Sequence, residues 1–233
     1  HFQKPGTGVW SIDCLSGDSS EPTSISTENS ATLLSTSEGG FLHMKDPVAF
    51  RTSDGFTQLV FCSHPFSWSS SNTGLATREA SGGPFHLVSK SLLDRGPSWD
   101  VACVRVTERL PLPQVGILES LPPLSLYFYD GAECLRSLDQ NPKAARRPRG
   151  YSCEELGGLA WGFDDEFPKL RRISQDFPLF VSPHATGCSR YASASFLADG
   201  TLAAAWQQVA ADGSQPLVGH SLNAEEVARI LRV

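Results

Sequence analysis

Between Phe41 and Pro65 apolar and polar residues alternate in two runs, one through Val48 and Phe50 and a more continuous one from Phe56 to Cys62, with Asp54-Gly55 between them. A period of two turns one face of a strand inward, and an Asp-Gly pair supplies the backbone freedom of a tight turn, so the stretch predicts an antiparallel hairpin. The same layout returns twice. Trp99-Asp100 opens Val101–Val106, which Leu124–Tyr129 follows, and Arg190 opens Tyr191–Leu197, which Asp199-Gly200 links to Thr201–Gln207. A third strand completes the unit: Thr73–Val88 and Gly157–Ile173 share Gly-Leu-Ala, a polar or acidic turn and a closing apolar run, and Pro216–Leu222 stands in their place in the last copy. Units at about 41–97, 98–181 and 182–222 predict a single domain over 1–233. Its expected class is all-β, a β-propeller-type array of antiparallel sheets.

The flanks read differently. Gly8–Leu15 is a plausible strand with no partner in the repeat scheme, and the Ser/Thr-rich Ser16–Gly40 reads as a long surface loop. Leu110–Pro123 and Glu133–Leu156 read as insertions, where proline keeps the chain out of the sheet. A short C-terminal helix is expected over 223–233, with Asn223 as N-cap, Glu226 three places on, and Val227, Ile230 and Leu231 on one face.

Charge and composition narrow the partners. A net charge of −6 leaves no surplus of Lys and Arg for phosphates, so no nucleic-acid partner is expected, and Lys143–Arg149 reads as a solvated loop. No apolar run reaches the length of a membrane-spanning helix, so no membrane partner is expected either. Six cysteines without a Cys-x-x-Cys pair, with Cys62 and Cys103 inside strands, predict buried free thiols. With no glycosylation sequon and no charged segment followed by an apolar one after His1, the expectation is a cytoplasmic protein.

Several chemistries lack their motifs: no nucleophile elbow, P-loop or dinucleotide fingerprint is present. Cys62-Ser-His64 and His184 with Cys188 are pairs lacking the further ligands of a zinc site, so neither metal nor cofactor is expected. In a propeller the innermost strands converge on an axis, and their first residues meet there. Asp46, Asp100 and the segment from His184 to Arg190 hold those places, and two carboxylates facing one cavity are what glycoside hydrolysis requires. Trp68 among Ser and Asn, with His64 nearby, suits stacking and hydrogen bonding on a sugar.

Lys45-Asp46-Pro47 before an apolar strand, an Asp-Gly turn and a second strand, then Thr73-Gly74-Leu75-Ala76 and Phe85, resembles the blade pattern of the arabinanase/β-xylosidase and levansucrase/invertase five-bladed propeller glycosidases. The resemblance covers about residues 41–222. It implies an axial funnel with an Asp base, a second Asp that orients substrate, and a Glu acid. Carried over, Asp46 matches the Asp-Pro start, Asp100 matches by place, and Glu133, Glu154 or Glu155 supplies the acid; Arg190, His184, His64 and Trp68 are the substrate-binding candidates. Three units against five blades leave three alternatives: further blades before His1, completion by another chain, or a likeness of architecture alone. The function expected is a carbohydrate-active protein that hydrolyses a glycosidic bond in an oligo- or polysaccharide. The alternative is a non-catalytic glycan-binding or scaffold propeller, in which Trp68, Trp161 and Tyr129 stack on sugars.

Overall fold

A computed structural model describes residues 2–3, 10–18, 20–36, 43–64, 70–132, 135–137, 151–153 and 155–232. It falls into two compact units, His1–Ser91 and Leu92–Val233.

In the first unit, β1 (Phe2–Gln3), β2 (Trp10–Ser16) and β3 (Ser26–Leu34) form an antiparallel sheet in that order. The loop expected across Ser16–Gly40 is therefore corrected in part, since Ser26–Leu34 is a nine-residue strand. Its side chains are exposed along almost the whole of β3, so no inward face marks it in the sequence, and backbone pairing to β2 is what makes it a strand. The strand expected to lack a partner, now β2, pairs on both sides.

A second sheet follows: β4 (His43–Arg51), β5 (Thr57–His64), β6 (Asn72–Arg78) and β7 (His86–Ser89), each pairing with the next. Gly55 turns the first hairpin at φ 88°, a conformation side chains resist. Ile12, Leu34, Met44, Leu59, Phe61, Ala76 and Phe85 form the core of this unit.

The second unit opens with a sheet of β8 (Cys103–Pro111), β9 (Leu124–Ala132), β12 (Leu156–Phe163) and β13 (Arg171–Arg172), with the β10–β11 hairpin (Leu135–Ser137 and Tyr151–Cys153) inserted between β9 and β12. β8 begins two residues after Val101 and runs on to Pro111, which a strand end tolerates because nothing there needs its missing N–H. A three-stranded sheet, β14 (Ser189–Phe196), β15 (Leu202–Gln208) and β16 (Leu217–Leu222), comes next. Thr107 Oγ1 on β8 donates to the Ala192 carbonyl at 2.8 Å and Ser193 Oγ donates to Glu108 Oε2 at 2.7 Å, which stitches the first strands of these sheets together. The helix α1 (Ala224–Leu231) has the expected capping box, with Glu226 N donating to Asn223 Oδ1 at 3.0 Å and Asn223 N to Glu226 Oε2 at 2.8 Å.

The Gly-Leu-Ala likeness has a physical basis. Gly74 pairs with Phe61, and Gly158 with Tyr129. A Cβ at either glycine would sit 2.4 Å from the tip of that ring, so the aromatic side chain lies flat where only hydrogen fits. Ala76 and Ala160 are both fully buried two residues on. Gly219 in the last sheet has no such ring over it; its nearest neighbour is the Ala204 carbonyl at 3.4 Å. Both units are thus all-β, built of antiparallel sheets, and unit two carries the short helix α1.

Candidate functional site

Arg105 lies in the middle of β8, directly opposite Asp130 on β9. Both are buried, at 3% and 2% exposure, and Arg105 Nη2 donates to Asp130 Oδ2 at 2.5 Å. The same nitrogen lies 2.9 Å from Glu155 Oε1, just before β12. Glu155 Oε2 accepts from Arg190 Nη1 at 2.6 Å, and the remaining edge of that guanidinium donates from Nε to Gln207 at 2.8 Å and from Nη2 to Gln215 at 2.7 Å. Two cations and two anions therefore balance inside unit two, and their hydrogen bonds offset the desolvation that burial imposes on each.

Tyr191 closes the cluster. Its backbone is left-handed, at φ 54°, and its N–H donates to both Asp130 oxygens at 3.1 Å. Arg105 stacks over the ring at 4.2 Å and Arg190 lies 5.1 Å from it, while the hydroxyl accepts from Arg105 Nη1 at 3.3 Å. Burial pushes the Asp130 carboxyl up to about 6; Arg105 opposes this, the Glu155 charge adds to it, and the hydrogen bonds from Arg105 and Tyr191 pull the other way. Burial thus outweighs the Arg105 contact, and the Asp130 carboxyl holds a proton more tightly than an ordinary carboxylate does.

One side of the cluster opens on a cavity of about 130 Å³ between the two sheets of this unit. Phe128, Phe180, Ala204 and Trp206 line it together with Asp130 and Arg190, and the surface it presents is almost wholly apolar. Drug-sized sites hold roughly 300 Å³ or more, so this one takes a single ring or part of one.

The expected site residues scatter. Asp100 is wholly buried; Arg172 Nε sits 3.0 Å from its Oδ2, which also accepts from the Tyr129 hydroxyl at 3.2 Å. Trp99 stacks on the Tyr129 ring at 5.5 Å, so Asp100 stands in a packed anchor of the segment before β8. Asp46 belongs to unit one. It lies within β4 instead of at its start, at φ 52° in a bulge where the register with β5 shifts, and pairs with Lys45 at 3.4 Å. His64 is buried, and because a carbonyl only accepts, its Nδ1 donates to Ser70 O at 2.7 Å, leaving Nε2 facing Cys62 Sγ at 3.8 Å. His184 is exposed in the turn before β14. Of the expected residues that are described, only Arg190 lines the cavity. Glu133, Glu154 and Trp68 lie outside the described residues. Cys14, Cys62, Cys103 and Cys188 are free thiols, the last three buried, and no group of three or more His, Cys, Asp and Glu among the described residues forms a metal site.

Arg105, Asp130, Tyr191 and Trp206 were not singled out as site residues beforehand. A signal existed for Arg105, a charge inside the apolar run Cys103–Val106, where a buried arginine requires a buried acid. Nothing local names which acid.

No protein-family model matches the chain, and no curated protein matches it. Among solved structures it is similar to a protein of unknown function from Dyadobacter fermentans (13% identity, TM-score 0.49, 78% of this chain and 51% of that one). It is also similar to an endo-1,4-beta-xylanase from Bacteroides thetaiotaomicron (13%, 0.47, 85% and 64%), and to the Trypanosoma rangeli sialidase (11%, 0.45, 88% and 31%). The chain spans less than two thirds of each. At this identity the likeness concerns the fold, and no residue of the site follows from it.

Proposed function

We propose that the chain is a carbohydrate-active protein of glycoside hydrolase type, and that the cavity of unit two receives one sugar ring. The observation that carries the reading is the lining itself: Phe128, Phe180 and Trp206 make an almost wholly apolar surface, with Asp130 and Arg190 among the lining residues. Sugars present apolar ring faces and polar rims, and an apolar pocket with a few convergent polar groups and a shifted acid suits them. Asp130, protonated below about pH 6, is the group to donate a proton to a glycosidic oxygen. Hydrolysis needs a second carboxylate, for which Glu133 and Glu154 remain the candidates. The motif likeness to arabinanase- and levansucrase-type glycosidases supports the same reading, and Asp46, strained within its bulge, is proposed as a sugar-contacting carboxylate of unit one.

A second reading, glycan binding without hydrolysis, is favoured by one observation: Asp130 is the one carboxylate among the described lining residues. Chromogenic xylosides and sialosides, offered to the whole chain across pH 4–8, separate the two. Turnover abolished by Ala204→Leu, which fills the cavity without touching a charge, supports hydrolysis. Binding without turnover, lost in the same variant and in Trp206→Ala, supports the second reading. Neither turnover nor binding overturns both.

A further inference from the structure

We infer that Tyr191 is a positioning residue: its hydroxyl, by accepting from Arg105, acts with its ring and backbone N–H to hold Asp130, Arg105 and Arg190 in place beside the cavity. This rests on the reading of that cavity as the sugar site.

A bulky residue in the left-handed region is a strained choice where glycine or asparagine would fit the backbone easily. What glycine cannot supply is the ring. Here it lies within reach of two guanidiniums, 4.2 Å from Arg105 and 5.1 Å from Arg190, and its hydroxyl accepts from Arg105 at 3.3 Å. The strained backbone does the complementary task, aiming one N–H at both Asp130 oxygens at 3.1 Å. The register between β14 and β15 shifts between Arg190 and Ser193, and a bulge there re-aims side chains that a regular strand would point elsewhere. Arg190, Ala192 and Ser193, the residues flanking Tyr191, all line the cavity. One residue thus ties the acid, both cations and part of the cavity wall together.

The charged groups that face Asp130 are Arg105 from β8 and Glu155 from the segment before β12, with Arg190 bound to Glu155 behind them. Of these, Arg105 favours the ionised acid and Glu155 opposes it. Loosening Arg105 therefore raises the proton affinity of Asp130.

The test uses the full chain without sugar. Carboxyl carbon shifts of Asp130 are followed by NMR from pH 4 to 8 in the wild type, in Tyr191→Phe, and in Tyr127→Phe as a control on the same strand β9. Tyr191→Phe keeps the ring and fold but removes the acceptor for Arg105. Its Asp130 midpoint is expected to rise from about 6 by a fraction of a pH unit to about one, while Tyr127→Phe leaves the midpoint in place. A Tyr191→Phe midpoint equal to the wild type, or an equal displacement in the control, overturns the inference. A displaced midpoint in a protein that neither binds nor turns over the xylosides and sialosides overturns the sugar reading and leaves the positioning intact.

Discussion

β4 in unit one and β14 in unit two carry the same backbone irregularity: a bulge after a basic residue, with a non-glycine residue in the left-handed region, Asp46 at φ 52° and Tyr191 at φ 54°. Their surroundings differ. Asp46 keeps part of its side chain in solvent and pairs with its neighbour Lys45. Tyr191 and its basic neighbour Arg190 sit in a buried network drawn from four segments of unit two. An aspartate tolerates the conformation because a short polar chain bonds locally, whereas a tyrosine needs its environment to hold it there. The device is common to both bulges; what it supports is set by the residues packed around it.

The largest expected difference between them lies in the ion pairs. Arg105→Met leaves Asp130 and Glu155 buried without their shared cation, and urea denaturation should show a loss of about 3–5 kcal/mol. Lys45→Met, beside the other bulge, should cost no more than about 1 kcal/mol. Equal losses would erase the contrast between the fully buried network and the partly exposed pair.

Protonation separates the bulges next. The folded-state value of Asp130 is raised from 3.8 to about 6, so between those limits the folded protein binds the proton more tightly than the unfolded chain. Its contribution favours folding fully below about pH 3.8 and is lost as pH rises through 6. Subtracting Asp130→Asn stability from wild type across pH 3.5–7.5 should leave a difference that falls over this window and is flat above it. A difference that climbs with pH would show that Arg105 outweighs burial.

A smaller effect tests what the sheets of the two units share. Gly74→Ala and Gly158→Ala each drive a methyl into an aromatic ring, Phe61 or Tyr129, and should cost roughly 1–3 kcal/mol. Gly219→Ala, with no ring above it, should cost less than either in thermal melts. The smallest stability change is expected at Asp46. Asp46→Asn tolerates the same backbone and should leave the melting temperature nearly unchanged, so a loss of sugar turnover in this variant reports the carboxylate alone. Intact turnover with a markedly lower melting temperature would make Asp46 a structural residue of the bulge.

Much of this molecule was legible one residue at a time. Alternation marked β4 and a continuous apolar run marked β5, which is buried along nearly its whole length, and Asp54-Gly55 marked a turn because few residue pairs take that backbone. Asn223 with Glu226 announced the helix because both partners of a capping box lie within one turn. The strand β3 was invisible because its serines and threonines are exposed on both faces, leaving backbone pairing to β2 and the buried Leu34 at its end to hold it. The site was invisible for a related reason. Asp46 and Asp100 stood out by place, but whether a carboxylate meets solvent, a lysine or a buried arginine depends on which strands lie beside it. Arg105, Asp130, Glu155 and Arg190 come from four separate stretches, and each is stable in its buried position only because the other three arrive there too. Local order was written in short-range patterns of size and polarity. Charge pairing in the interior is a property of strands brought together from far apart in the chain, and the tertiary structure alone decided it.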